Sequence, residues 1–386
     1  MKSALKAWGL GLAALRLVTG LLVAWVGARR PFTLAEALIP LWPPRAPWDL
    51  WLARVWLIPW QRWDVGYYLR ILTQGYRLYD GTAQFHPLYP LLAWPLVQLG
   101  LDPLLALLLV ATGAAWLALV LLALWWEPFP LSRMAPALLM APFALFWLLP
   151  YTESLFLVWA ILTFLALRRG RWGWAGLCAA LATLTRQQGI VLLLPLAWDL
   201  WQRRRALRWW AWSSLLGAPM AWLGWIVYRA WALGDWQPQV TSLQGAIYSI
   251  LISPAAHQVV PEQGFGWPWE ALRRACLHFV QQPDLDMGIN FALTGLLLWL
   301  LALAWKRLTT EEKLYSLAIV GLSLAYTTGP VHPYMGLPRH VFLAFPLLRG
   351  VEGVTRRRWS RLLWAGLGVL SLIVMVMAYA LQAWVP

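Results

Sequence analysis

D-P-L-L-A-L-L-L-V-A-T-G-A-A-W-L-A-L-V-L-L-A-L-W-W, residues 102–126, decides the fold class. After Asp102 it carries no charged side chain. A run of about 18 or more apolar residues reads as a membrane-spanning helix, because about 20 helical residues cross the hydrocarbon layer. Comparable runs recur along the chain, so the expectation is an all-α polytopic membrane protein. Composition agrees. The chain has 386 residues, 61% of them hydrophobic and only 12% charged, where a soluble domain has about 25% charged. Its mean hydropathy is +0.59. Eleven transmembrane or half-spanning helices are expected, at 5–27, 102–126, 131–149, 153–167, 173–185, 188–201, 209–232, 288–305, 313–328, 339–349 and 361–384. Three of these are too short to cross alone. No repeat or soluble domain interrupts them, so 1–386 reads as a single integral membrane domain.

The net charge of +15 sits mostly in short loops between apolar runs. It therefore reads as a topology signal, and no nucleic-acid-binding module accompanies it. Arg168, Arg169 and Arg171 precede the 173–185 and 188–201 pair, and Arg203, Arg204, Arg205 and Arg208 follow it. Basic loops stay in the cytoplasm, so the pair dips in and returns, broken at T-R-Q-Q-G, residues 185–189. Lys306, Arg307, Lys313, Arg356, Arg357, Arg358 and Arg361 also fall inside. The N-terminus is expected inside, with an uncleaved first span. A first outer loop at 28–101, a second at 233–287 and a third at 329–338 follow. Residues 31–60 and 86–99 read as interfacial helices in the first outer loop. All five histidines fall on or beside the outer side. The 32 tryptophans suit membrane–water boundaries. Cys178 and Cys276 are not expected to pair, and no metal-ligand spacing is present.

One segment is polar in a chain otherwise built for lipid: W-D-V-G-Y-Y-L-R-I-L-T-Q-G-Y at 63–76, followed by F-H-P-L-Y-P at 85–90. Asp64 opens it, and Tyr67, Tyr68, Arg70, Gln74 and Tyr76 follow at near-helical spacing. Asp64 reads equally as a general base or as an interfacial helix cap. Glu153, in P-Y-T-E-S-L-F, is either a substrate-binding carboxylate or a helix-start residue favoured by the dipole. Arg186 either reaches a lipid phosphate or snorkels to headgroups. Arg339 and His340, in L-P-R-H-V-F, open a helix at the outer face, where a guanidinium and backbone donors suit an anion. His86 and His332 are lower-ranked candidates.

In that order, these motifs resemble those of bacterial relatives of the second mannosyltransferase of GPI-anchor assembly, a family within the GT-C superfamily of polytopic glycosyltransferases. The similarity covers about residues 60–350. His86 stands where the family has a second Phe, Gln187 where it has Pro, and His340 where it has Tyr. The resemblance implies a GT-C-type fold, a polyprenyl-phosphate-mannose donor, an extracytoplasmic site and no metal or other cofactor. It also implies that the aspartate matching Asp64 is the catalytic base. The expected activity is inverting mannosyl transfer to a membrane lipid or glycan acceptor, in the lipid bilayer of a bacterial cytoplasmic membrane. Arg339, Arg186 and Arg70 would meet the donor phosphate. The other readings are a lipid-linked sugar transporter or flippase, and a non-catalytic membrane subunit. A transporter would carry deep charges on many helices and an internal duplication; Arg16 and Arg186 are the plausible deep charges here.

Overall fold

The computed structural model describes residues 2–29, 57, 60–77, 80–127, 129–234, 264–328 and 334–381. Within them the chain is almost wholly helical. It divides into two compact units, one of 1–75, 89–154 and 350–385, the other of 76–88 and 155–349.

The first unit is built around α1 (Lys2–Arg29). α2 (Asp64–Gln74), α3 (Leu88–Gln98), α4 (Pro103–Trp125) and α5 (Leu131–Leu139) follow. α4 starts where its sequence tells it to. The Asp102 carboxylate accepts from the Leu104 and Leu105 amides at 2.9 and 3.1 Å, and Pro103 takes the first helical position, where no amide hydrogen is needed. Arg16 on α1 is tied to α4 by two bonds to the Thr112 hydroxyl, at 2.8 and 3.2 Å, and lies over the Trp60 ring. This half-buried charge thus has a packing role.

The 131–149 segment is not one helix. α5 ends at Leu139, and a 3₁₀ turn follows at Ala144–Trp147. Pro142 explains the break, since it disfavours helical geometry at Ala141. α6 (Glu153–Arg168) begins at the unit boundary.

The second unit continues with α7 (Trp172–Thr185), a 3₁₀ stretch at Gln187–Leu192, and α8 (Leu193–Gln202). A second 3₁₀ stretch, Trp209–Leu216, runs into α9 (Gly217–Ala232). Gly176 and Gly217 let α7 and α9 touch backbone to backbone: a Cβ on either would fall on the other strand of chain, at Ser214 or Gly176. α10 (Pro268–Gln281), α11 (Leu285–Ala304), α12 (Thr310–Ala325) and α13 (Leu337–Phe342) complete it. Gly264 and Phe265 pair with Thr327 and Tyr326 in a two-residue antiparallel ladder. α14 (Gly350–Val354) and α15 (Arg358–Ala380) return to the first unit.

Helix is present in each of the eleven apolar segments. Among the described residues, four helical stretches are long and apolar enough to cross a membrane: Lys6–Arg29, Pro103–Trp125, Leu285–Arg307 and Arg358–Ala380. Their outward faces are bare hydrocarbon. Leu10, Leu17, Val18 and Leu21 on α1, and Leu362, Leu363, Leu367 and Leu370 on α15, are all exposed, as a lipid-facing helix requires. The other segments are shorter or broken. The expected interfacial helix at 86–99 corresponds to α3, which tolerates Pro95 in its interior. The one expected at 31–60 lies almost wholly outside the described residues.

Candidate functional site

Four of the expected site residues lie in the first unit. Asp64 is the first helical residue of α2, and the cap position belongs to Trp63. Trp63 has φ 49°, the one positive φ on a non-glycine residue among those described. Such a conformation costs about 1–3 kcal/mol and persists only where its surroundings hold it. Those surroundings are visible. Tyr379 on α15 donates to the Trp60 carbonyl at 3.3 Å, and Tyr151 donates to the Arg62 carbonyl at 3.4 Å. The buried Arg62 guanidinium donates to the Ala380 carbonyl at 3.3 Å. The turn is closed by Val65 and Gly66 amides on the Arg62 and Trp63 carbonyls, both at 3.0 Å. The chain entering α2 is therefore clamped, and the half-buried Asp64 carboxylate is aimed by a rigid support.

Tyr68 is buried one turn along, edge-on to Tyr89 with ring centres 4.9 Å apart. Tyr89 in turn donates to the Leu107 carbonyl at 2.9 Å. Arg70 is half-buried on the same helix. Glu153 is buried in the first turn of α6, where the helix dipole favours its charge.

The second unit holds Arg186 and Arg339, and it brings residues far apart in sequence together. Arg186 ends α7 in extended geometry, and the chain turns back through Gly189. A Cβ on Gly189 would fall on the backbone of Ala182 and Thr183, so only glycine lets the break fold this tightly. The turn presents the Arg186 guanidinium to His340 of α13, 2.8 Å from Nδ1. A guanidinium can only donate. His340 Nδ1 therefore accepts, and its imidazole is neutral with the proton on Nε2. Arg339 is half-buried beside it. The helix carrying both starts at Gly336, with φ 71°, whose amide donates to Asn290 of α11 at 3.2 Å.

His86 joins this group. It is buried, and burial together with the charges of Arg229 and Arg186 pushes its pKa down to about 3, against a smaller upward pull from its bond to the Thr183 backbone. It is neutral at physiological pH. Its ring centre lies 5.9 Å from that of Trp225, which stacks on Tyr228 at 5.4 Å and meets Tyr76 edge-on at 4.9 Å. Two buried polar atoms here lack a hydrogen-bond partner among the described residues: His86 Nδ1 and Trp225 Nε1. Trp225 Nε1–H can only donate, and His86 Nδ1 accepts when the other nitrogen carries the proton.

Arg229, Trp225 and Tyr228 escaped the sequence reading because they sit inside an apolar segment, 209–232. The signal was there in Y-R-A, an arginine near the end of an apolar run that the sequence reading expected to face outward, where the inside rule favours none. His332 lies outside the described residues, so its role is not defined. No group of three or more His, Cys, Asp or Glu that could hold a metal ion occurs among the described residues. Of the basic loops, Arg168 pairs with the buried Glu312 at 3.0 Å and Arg203 with Asp199 at 3.1 Å, so these arginines brace helix ends. Asp199, which follows Trp198 as Asp64 follows Trp63, is held by the same bridge and by Trp172 Nε1–H donating to it at 2.7 Å. Comparison with protein-family models, curated proteins and solved structures returned no match.

Proposed function

We propose that the chain is an inverting mannosyltransferase, moving mannose from a polyprenyl-phosphate carrier to a hydroxyl of a membrane lipid or glycan acceptor on the extracytoplasmic face. The observation that carries this reading is the composition of the second unit's cluster. It combines arginines, neutral histidines, a layer of aromatic rings, and an unsatisfied donor and acceptor. A glycosyl phosphate presents what these groups lack: hydroxyls that both donate and accept, a ring face for aromatic side chains, and a phosphate for guanidinium groups.

The chemistry needs one base and one cationic cradle. The acceptor oxygen attacks the anomeric carbon from the face opposite the carrier, and Asp64 takes the hydroxyl proton. The bond from the anomeric carbon to the phosphate oxygen breaks, and the electron pair leaves with the lipid phosphate. A guanidinium offsets that charge, a role the sequence motifs assign to Arg339 first and to Arg186 after it; a phosphate leaves at neutral pH without being protonated. Glu153 and Tyr68 are assigned to shaping the acceptor side, and Arg70 to a supporting contact with the donor phosphate. His340, locked by Arg186, keeps an Nε2–H for a phosphate or sugar oxygen.

The test is transfer itself. The purified chain, incubated with radiolabelled polyprenyl-phosphate mannose and a bacterial lipid extract, should yield a labelled glycolipid with the anomeric configuration reversed. Carrier crossing vesicle bilayers without any transfer would instead establish the flippase reading. Neither activity, in protein that retains its helical content, would leave the non-catalytic subunit.

A further inference from the structure

A second charged site lies in the first unit, apart from every residue assigned a part in the proposed transfer. A cavity of about 330 Å³ opens where α5 and α15 begin. Three arginines line it: Arg133 from α5, and Arg358 and Arg361 from the first turns of α15. Arg358 and Arg361 are three residues apart and so share a helix face. Trp364, one turn further, fixes the two helices together by donating from Nε1 to the Ala137 carbonyl at 2.9 Å. Leu362 and Trp364 supply apolar wall, and Ser132 a hydroxyl. All three guanidinium groups belong to exposed residues, and none has a hydrogen bond or ion pair among the described residues.

Topology signal alone requires arginines on this side of the membrane. It does not require three of them, from two helices, to converge on one hollow. Like charges at close quarters repel, and a cleft lined by one sign of charge concentrates counter-ions. The position identifies the counter-ion. α15 is of membrane-spanning length and begins at Arg358, which puts the cavity at headgroup depth, with exposed leucines running on below it. Guanidinium groups bind phosphate in a two-pronged fashion, and basic pockets at the cytoplasmic ends of spans suit anionic headgroups.

We propose that this cavity binds the phosphate headgroup of an anionic phospholipid, with its glycerol and first methylenes against Leu362 and Trp364. Each arginine near the surface is worth about fivefold in affinity, so the three together are worth roughly a hundredfold.

The experiment is native mass spectrometry of the purified chain titrated with phosphatidylglycerol, with phosphatidylcholine, and with inorganic phosphate alone. The wild type should retain phosphatidylglycerol at least about tenfold better than phosphatidylcholine. The triple variant R133Q/R358Q/R361Q should lose that preference. R204Q/R205Q/R208Q, which removes the same charge from another basic loop, should keep it. Because the cavity arginines are exposed, the variants should fold, and the single variant R361Q gives a graded check. Equal retention by the cavity triple overturns the proposal, as does an equal loss in both triples, which would mean unspecific surface charge. Inorganic phosphate that binds as tightly as the lipid would overturn the lipid as the occupant.

Discussion

At the scale of single residues, the arrangement is one of groups whose protonation is fixed by their neighbours. His86 is the clearest case, with a folded pKa of about 3 set first by burial and then by Arg229 and Arg186. The unfolded chain, with an ordinary histidine near 6.5, binds a proton between those two values that the folded chain refuses. Acid therefore favours unfolding, by up to about 1.4 kcal/mol per pH unit below 6.5 for this one group. Thermal melts of the detergent-solubilised protein should fall more steeply from pH 6.5 to 4.5 in the wild type than in His86→Gln; parallel curves would mean that His86 is not buried as described. Residue types and order were readable in sequence for Asp64, Arg186, His340 and His86, because polar groups stand out against apolar surroundings. What the sequence did not reveal was partnership. Nothing local says that Arg186 meets a residue in another helix, or that Trp225, one tryptophan among many, is left with an unsatisfied N–H.

At the scale of elements, apolar periodicity located the helices well and their interruptions less well. The break at 186–189 was legible, since T-R-Q-Q-G places an arginine and a glycine between two apolar runs. Its tightness depends on Gly189, whose missing Cβ makes room for the Ala182 and Thr183 backbone. Gly189→Ala should destabilise the protein by at least about 2 kcal/mol, in the range of overpacked cores, and should displace Arg186 from His340. Denaturant unfolding followed by circular dichroism checks this, and an unchanged midpoint would refute the close approach. The split of 131–149 was foreshadowed by Pro142 and missed because hydropathy does not register backbone geometry. α10 was missed for the opposite reason. It is amphipathic rather than apolar, burying Ala271 and Ala275 while exposing Trp269 and Arg274. Pro268 at its first position and Glu270 in its first turn were the available signals.

At the scale of the whole molecule, sidedness links the parts. The positive-inside rule leads to the expectation that the histidines lie on or beside the outer side and that Arg356, Arg357, Arg358 and Arg361 lie inside. A native reporter exists for this. Cys276 is exposed on α10, in the segment expected to form the second outer loop, while Cys178 is buried. A membrane-impermeant maleimide should label Cys276 in intact spheroplasts and leave Cys178 unlabelled; labelling that appears only after permeabilisation would invert the topology. In the proposed reaction a single carboxylate, Asp64 at a clamped helix start, takes the proton. General-base catalysis accounts for about 10²–10⁴-fold in rate, and Asp64→Asn keeps the shape while removing the base. The most direct measurement is single-turnover mannosyl transfer by wild type and Asp64→Asn, in protein matched for melting temperature. The expected result is a loss of at least about a hundredfold with donor binding retained; turnover by the variant at the wild-type rate would remove Asp64 from the chemistry.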